Sequence, residues 1–144
     1  MNINLFVLWM QSFEKSIVDF DKDGTEELVL SYAYGDSYII LRYYEGKVHA
    51  KDYSYFQQLY DDGSFDWITY DYNFGFGLEE GYSKILFLNE TWEIEDICRR
   101  DTKCYIGEDQ VTSKEYNEYL KSIPRTPVEF TPFDDELLTA DERK

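Results

Sequence analysis

Residues 28–44, LVLSYAYGDSYIILRYY, form two apolar, tyrosine-rich runs on either side of Gly35-Asp36. Short runs rich in β-branched and aromatic residues, separated by a glycine-containing turn, are typical of paired antiparallel strands. This stretch therefore predicts a β-hairpin, and the similar runs that follow it predict an antiparallel meander. The turns between those runs are at residues 45–47 and 61–64, and the runs themselves are at 48–60 and 65–72.

The last third of the chain predicts more strands and one helix. Thr112-Ser113-Lys114-Glu115 has the form of a capping box, and Pro124 ends the helix that this box starts. The predicted fold class is α+β, mainly an antiparallel β-meander sheet with one C-terminal helix packed on it. The further strands are expected at 82–89, 91–99 and 103–106, and the apolar helix face consists of Tyr116, Tyr119, Leu120 and Ile123.

The length of 144 residues suits one domain, which we place at 1–133, with an extended proline-spaced arm at 125–133 and a charged tail at 134–144. The apolar run at 3–13 belongs to the core, and its most apolar stretch is at 5–10. It is too short to cross a membrane and has no basic region before it, so we predict no membrane insertion and no signal peptide in this chain.

The chain carries 30 acidic and 14 basic residues, which gives a net charge of −16. A surface of this sign repels phosphate backbones and anionic lipid headgroups, so nucleic acid is not an expected partner. It favours cations or basic proteins instead.

Residues 19–27, DFDKDGTEE, place carboxylates at every second position. Calcium prefers several oxygen ligands at once, and a short loop supplies them when alternating carboxylates curl round the ion. Gly24 stands where the loop needs a sharp turn. The sequence therefore predicts one bound Ca²⁺, held by the side chains of Asp19, Asp21, Asp23 and Glu27 and the backbone carbonyl of Thr25.

An EF-hand is excluded, because its loop ends in a bidentate glutamate at the twelfth position, where this chain has Leu30. The loop resembles the D-x-D-x-D-G-x-x-D/E-L-x-[VIL] calcium loops of FG-GAP (integrin-type propeller) repeats, in which the ion lies between two strands. It departs from them in being a single copy, in having Lys22 where glycine is usual, and in having Glu27 in place of the common aspartate. A β-propeller is therefore not implied.

A wider likeness joins this loop to the stretch at 43–48, YYEGKV, and to the stretch at 111–116, VTSKEY. In this order they resemble uncharacterised secreted or lipid-anchored (lipoprotein-like) proteins of Gram-positive gut bacteria. The resemblance implies an extracellular or cell-envelope location, with the signal segment absent from this chain, and it brings no catalytic residues. A cytoplasmic location stays open.

Catalytic machinery is not expected. His49 is the only histidine and has no nucleophile motif beside it, so a half-exposed strand residue is the better interpretation. Two carboxylates suffice for glycoside hydrolysis, and 30 acidic residues neither support nor exclude that chemistry. Cys98 and Cys104 are compatible with a local disulfide or with two free thiols, and with His49 they are too few for a zinc site.

One glycine-rich stretch and two aromatic runs remain as candidate sites. Residues 73–81 lack the spacing of a phosphate-binding loop and predict a bulge, a wide loop or a close backbone approach. The runs at 52–56 and 70–74, with Trp67 and Trp92, are candidates for a protein- or glycan-binding surface, although cross-strand packing explains such rings equally well.

The sequence therefore predicts a non-enzymatic, calcium-stabilised extracellular or cell-envelope binding module. The alternative is an acidic interaction protein that inhibits a basic partner, as an immunity protein or a molecular mimic does.

Overall fold

A computed structural model describes residues 13–32, 37–71, 77–88 and 91–132 of the chain. Within these residues the fold is mainly antiparallel β-sheet, with one short helix. The first sheet has the order β11-β1-β2-β3-β4, and the second has the order β10-β9-β8-β7-β6-β5. The strands are β1 (Glu14–Val18), β2 (Glu27–Tyr32), β3 (Ser37–Tyr44), β4 (Lys47–Ser54), β5 (Phe56–Leu59), β6 (Ser64–Asp71), β7 (Gly77–Leu88), β8 (Thr91–Arg100), β9 (Cys104–Ile106), β10 (Asp109–Val111) and β11 (Thr131–Pro132), and the helix is α1 (Ser113–Ser122).

The predicted hairpin is present, because β2 and β3 pair antiparallel from Leu28↔Leu41 to Tyr32↔Ser37. Its Gly35-Asp36 turn lies outside the described residues. The next hairpin turns through Glu45 and Gly46, both with positive φ, as a two-residue turn between antiparallel strands requires.

The strands occupy two sheets rather than the single sheet expected. The run at 48–60, predicted as one strand, is broken at Tyr55, whose φ of 67° lies in the left-handed region. The chain leaves the first sheet after Ser54 and enters the second at Phe56. Tyr55 itself is 62% exposed. With no glycine or proline at the break, the sequence carries no turn signal there.

Both sheets contribute to one hydrophobic cluster. The inward positions of β2 and β3 alternate with outward ones, which buries Val29 and Ile40 completely. In the second sheet, the buried rings of Phe56 and Phe65 stack with their centroids 3.8 Å apart. Burial of these apolar groups is the main force that holds the two sheets together. The other buried members of the cluster are Phe20, Tyr38, Tyr53, Leu59, Ile85, Trp92 and Val128.

Residues 73–81 predicted a bulge, a wide loop or a close backbone approach, and a close approach is present at Gly81. Residues 72–76 lie outside the described residues. The β7–β8 register shifts between Tyr82 and Ser83, and a Cβ built on Gly81 would stand 2.5 Å from the Trp67 ring and 2.7 Å from the Cys98 carbonyl oxygen. Glycine is therefore the residue that lets β7 pass the Trp67 indole.

The helix α1 begins as predicted. Thr112 accepts a hydrogen bond from the Glu115 N–H at 3.1 Å, and the Glu115 side chain reaches back to the Thr112 backbone, so both halves of the capping box are present. Tyr116 is 1% exposed, in a second cluster with Tyr60, Tyr82, Cys98 and Cys104. In the described part of the chain, no helix has the length and apolar character that crossing a bilayer requires.

Different parts of the proline-spaced arm after the helix pair with the two sheets, which the sequence did not predict. Pro127 forms a bridge with Tyr60, and Val128 donates to the Leu59 carbonyl at 3.0 Å. Further on, Thr131 and Pro132 pair with β1. Proline is tolerated at such an edge because its missing N–H can point away from the ladder. The arm thus connects the second sheet to the first.

Candidate metal site in the β1–β2 loop

The acidic loop closes the β1–β2 hairpin, whose last pair is Val18↔Glu27. Phe20 points inward, is 2% exposed and stacks on Phe87 of the second sheet at 5.5 Å. Lys22 and Gly24 both have positive φ, at 58° and 90°, and turn the loop back on itself. The loop is therefore held to the core by an aromatic side chain while its carboxylates project around the turn.

Asp19 organises the backbone of the turn. Its two carboxylate oxygens accept hydrogen bonds from the N–H groups of Asp23 at 3.2 Å and Gly24 at 2.9 Å. Each carboxylate oxygen has a second lone pair, so these bonds leave Asp19 able to bind a cation as well.

Glu27 is the most unusual residue of the loop, because its side chain is completely buried. Oε2 accepts a hydrogen bond from the Phe20 N–H at 3.1 Å, whereas the buried Oε1 has no hydrogen-bond partner. Burial raises the pKa of this carboxyl to about 7, and the N–H of Phe20 opposes the shift. A buried acceptor without a partner costs free energy unless some group compensates it.

Three carboxylates converge at this point. Asp19, Asp21 and Glu27 each offer an oxygen, and the three oxygens lie within 4.8 Å of one another. A hard cation prefers such an all-oxygen set, and calcium completes about six to eight ligands with backbone carbonyls and water. The residues present therefore fit a calcium ion. The carbonyl of Thr25 as a further ligand stays a prediction.

Asp23, the remaining predicted ligand, makes other contacts. Its Oδ1 accepts a hydrogen bond from the Thr25 N–H at 2.8 Å, and its Oδ2 lies 3.0 Å from Nη2 of Arg42. The Thr25 N–H, together with the nearby Arg42 charge, lowers the pKa of Asp23. Its role as a metal ligand stays a prediction.

Arg42 is the site residue that sequence reasoning missed. It lies on β3, is 6% exposed, and places Nη2 3.2 Å from Asp21 and Nη1 3.7 Å from Glu27. Its position shares the inward phase of Tyr38 and Ile40, so an arginine on the buried face of a strand was the available signal. Within the described residues, this buried cation partly neutralises the loop.

No protein-family model, no curated protein and no solved structure matches this chain.

The other candidates from the sequence lie apart from this loop in the chain. His49 is a half-buried residue of β4, as expected, and its Nε2 is buried without a hydrogen-bond partner. Cys98 and Cys104 are both buried and unbridged, and they stand opposite Ile106 and Arg100 rather than each other.

The aromatic runs are divided between core and surface. In the run at 52–56, Tyr53 and Phe56 are buried and Tyr55 is exposed. The side chains of the run at 70–74 lie outside the described residues. Trp92 is buried, and the half-buried Trp67 donates to the Ser83 hydroxyl at 2.9 Å.

Proposed function

We propose that this chain is a non-enzymatic, calcium-stabilised binding module of the extracellular space or cell envelope. One Ca²⁺ at Asp19, Asp21 and Glu27 braces the β1–β2 hairpin against the core. The observation that carries the proposal is the completely buried Glu27 carboxylate, which belongs to a group of three carboxylates and whose Oε1 has no hydrogen-bond partner. The likeness of the loop to FG-GAP-type calcium loops supports it.

The charge balance of the loop favours a cation. The loop holds the carboxylates of Asp19, Asp21, Asp23 and Glu27, and Arg42 pairs with the last three of them. Carboxylates this close raise one another's free energy when all are ionised, and burial adds to the penalty. A divalent ion offsets both costs, and it binds the folded chain because only the fold brings the three oxygens together.

The bound ion has a structural role in this proposal. Glu27 begins β2, and Phe20 connects the loop to Phe87 of the second sheet, so an ion held by the loop fixes the loop to both sheets. The proposal also packs the helix α1 on the second sheet, which is supported by the cluster that Tyr116 forms with Tyr82 and Cys98. For the ligand of the module, the exposed cross-strand pair Tyr43 and Val48 offers an apolar contact surface suited to a protein or a glycan.

The test is thermal unfolding in calcium and in EDTA. Wild type should melt at a higher temperature in calcium, because a ligand of the folded state stabilises it by mass action. Glu27→Gln keeps the acceptor for the Phe20 N–H but removes the buried charge. This variant should melt above wild type in EDTA and should lose the calcium-dependent rise.

Glu118→Gln is the matched control, because Glu118 is exposed on α1 and far along the chain from the loop. It should keep the wild-type response to calcium. If wild type melts at the same temperature in calcium and in EDTA, the proposed function is wrong. The alternative of an acidic inhibitor of a basic partner rests on net charge and stays a prediction.

A further inference from the structure

Arg42 shares its carboxylate partners with the candidate ion. Nη2 lies 3.2 Å from Oδ2 of Asp21, and Nη1 lies 3.7 Å from Oε1 of Glu27. These two acids are two of the three that could hold a metal. The guanidinium is therefore placed where it neutralises the site in the absence of an ion.

The guanidinium is held firmly in this position. Arg42 is 6% exposed, and its guanidinium carbon Cζ lies 5.0 Å from the centroid of the Phe87 ring on the second sheet. Nε and Nη1 are buried and have no hydrogen-bond partner. Buried donors without partners cost free energy, so the hydrogen-bonding capacity of Nε and Nη1 does not explain an arginine at this position. The positive charge of the guanidinium is what stabilises the neighbouring carboxylates.

A divalent ion at the three carboxylates would stand close to this fixed positive charge. Like charges a few ångströms apart in a partly buried site repel strongly, because little water screens them. The ion and the guanidinium also draw on the same two carboxylates, those of Asp21 and Glu27. Asp23, outside the group of three, lies 3.0 Å from Nη2 and offers Arg42 a partner that the ion does not need.

We propose that Arg42 is a tethered competitor for the calcium site, which keeps the empty loop folded and sets the calcium affinity lower than the carboxylates alone would give. On calcium binding, Arg42 gives up Asp21 and Glu27 and keeps Asp23. The inference rests on the proposed calcium site and assigns the residue that tunes it.

Calcium affinity, measured by titration calorimetry, tests this directly. Arg42→Met removes the charge and keeps an unbranched side chain, and it should bind calcium on the order of tenfold more tightly than wild type, or tighter still. Arg42→Lys keeps the charge but replaces the rigid planar fork with a flexible point charge that holds the carboxylates less firmly, so it should bind calcium a few-fold more tightly. The lysine variant also keeps the test available if Arg42→Met does not fold.

Arg99→Met is the control. Arg99 pairs with Glu79 at 3.7 Å and lies 4.4 Å over the Tyr105 ring, so it makes the same two kinds of contact away from the loop. Its calcium affinity should equal that of wild type. Unchanged or weaker binding by the Arg42 variants, with wild type still binding, overturns the competitor role and leaves the calcium site standing.

The two proposals fail in different ways. If neither wild type nor Arg42→Met binds calcium, both are wrong. If only Arg42→Met binds, the wild-type chain is not calcium-stabilised and Arg42 has replaced the ion.

A double-mutant cycle with Asp23→Asn assigns the role of Asp23. In the wild-type background this change should weaken calcium binding, because Arg42 then depends more on Asp21 and Glu27. In the Arg42→Met background it should have little effect. An equal loss in both backgrounds would make Asp23 a ligand and contradict its role as the resting partner of Arg42.

Discussion

Gly81 lies against Trp67 so closely that a Cβ at Gly81 would stand 2.5 Å from the indole ring and 2.7 Å from the Cys98 carbonyl oxygen. Relief would require both the half-buried Trp67 ring and the strand backbone at Cys98 to shift. Gly81→Ala should therefore destabilise the fold by about 3 kcal/mol through overpacking, measured by urea unfolding.

Gly107→Ala separates crowding from backbone strain in that experiment. Gly107 has a φ of 60° but no atom within 4 Å of a built Cβ, so only the left-handed conformation is penalised. A loss of about 1 kcal/mol is expected there. Equal losses at the two glycines would contradict the close approach at Trp67.

Lys22 pays a conformational cost in the acidic loop, because a non-glycine residue at a φ of 58° is disfavoured. Lys22→Gly should relieve that strain, worth about 1 kcal/mol at most, and should also tighten calcium binding by removing a positive charge from the loop. Glu45→Gly is the control, since Glu45 has a φ of 49° in the turn between β3 and β4. Both variants should gain thermal stability in EDTA, and only Lys22→Gly should change the calcium affinity.

Tyr53 buries a hydroxyl that has no hydrogen-bond partner, and burial raises its pKa from 10.0 to about 12. Tyr53→Phe should stabilise the fold by about 1 kcal/mol, because a buried polar group without a partner is removed. The unfolded chain releases this proton near pH 10 and the folded chain only near 12, so unfolding releases a proton in that interval and stability falls as pH rises.

Tyr53→Phe should therefore lose part of the decline in stability between pH 10 and 12, as followed by denaturant unfolding at several pH values. The exposed Tyr55 provides the control, Tyr55→Phe, which should leave both the stability and its pH dependence unchanged. A steeper alkaline decline in Tyr53→Phe would contradict the burial of this hydroxyl.

Asp66 connects the arm after α1 to the second sheet. It accepts a hydrogen bond from the Tyr60 hydroxyl at 2.5 Å and from Arg125 at 3.0 Å, and Arg125 in turn lies 5.2 Å from the centroid of the Tyr60 ring. Asp66→Asn removes the charge that Arg125 faces at a largely buried site, so we expect a loss of about 2 kcal/mol. The more exposed pair of Glu79 and Arg99 is the comparison. Glu79→Gln should cost about 0.5 kcal/mol or less in the same urea experiment.

Much of the fold was available from local sequence patterns. The β2–β3 hairpin follows from alternating apolar residues, and the start of α1 follows from the capping box at Thr112. The break at Tyr55 was missed because tyrosine has no local preference for positive φ. The entry of the next residues into the second sheet offsets the cost of that conformation, and the sequence does not show this entry. The pairing of the arm with β1 was missed because a proline indicates an edge strand but does not indicate which strand it pairs with.

The candidate site was predictable to a similar extent. The carboxylates of Asp19, Asp21 and Glu27 are brought together by a loop whose spacing is local, so the sequence alone located them. Arg42 comes from another strand, and which charge faces the loop depends on strand register. The complete burial of Glu27 likewise depends on how the two sheets meet.

The pairing of β11 with β1 sets a constraint on biosynthesis. Glu14 pairs with Pro132 and Lys15 with Thr131, so this part of the outer edge of β1 is covered only when almost the last described residue is in place. Contacts this distant in sequence form late in folding. While the chain leaves the ribosome, the open edge of β1 can pair with the same edge of another nascent copy. Pairing of the arm is therefore the step that protects the edge of β1 at Glu14 and Lys15 from another copy of the chain.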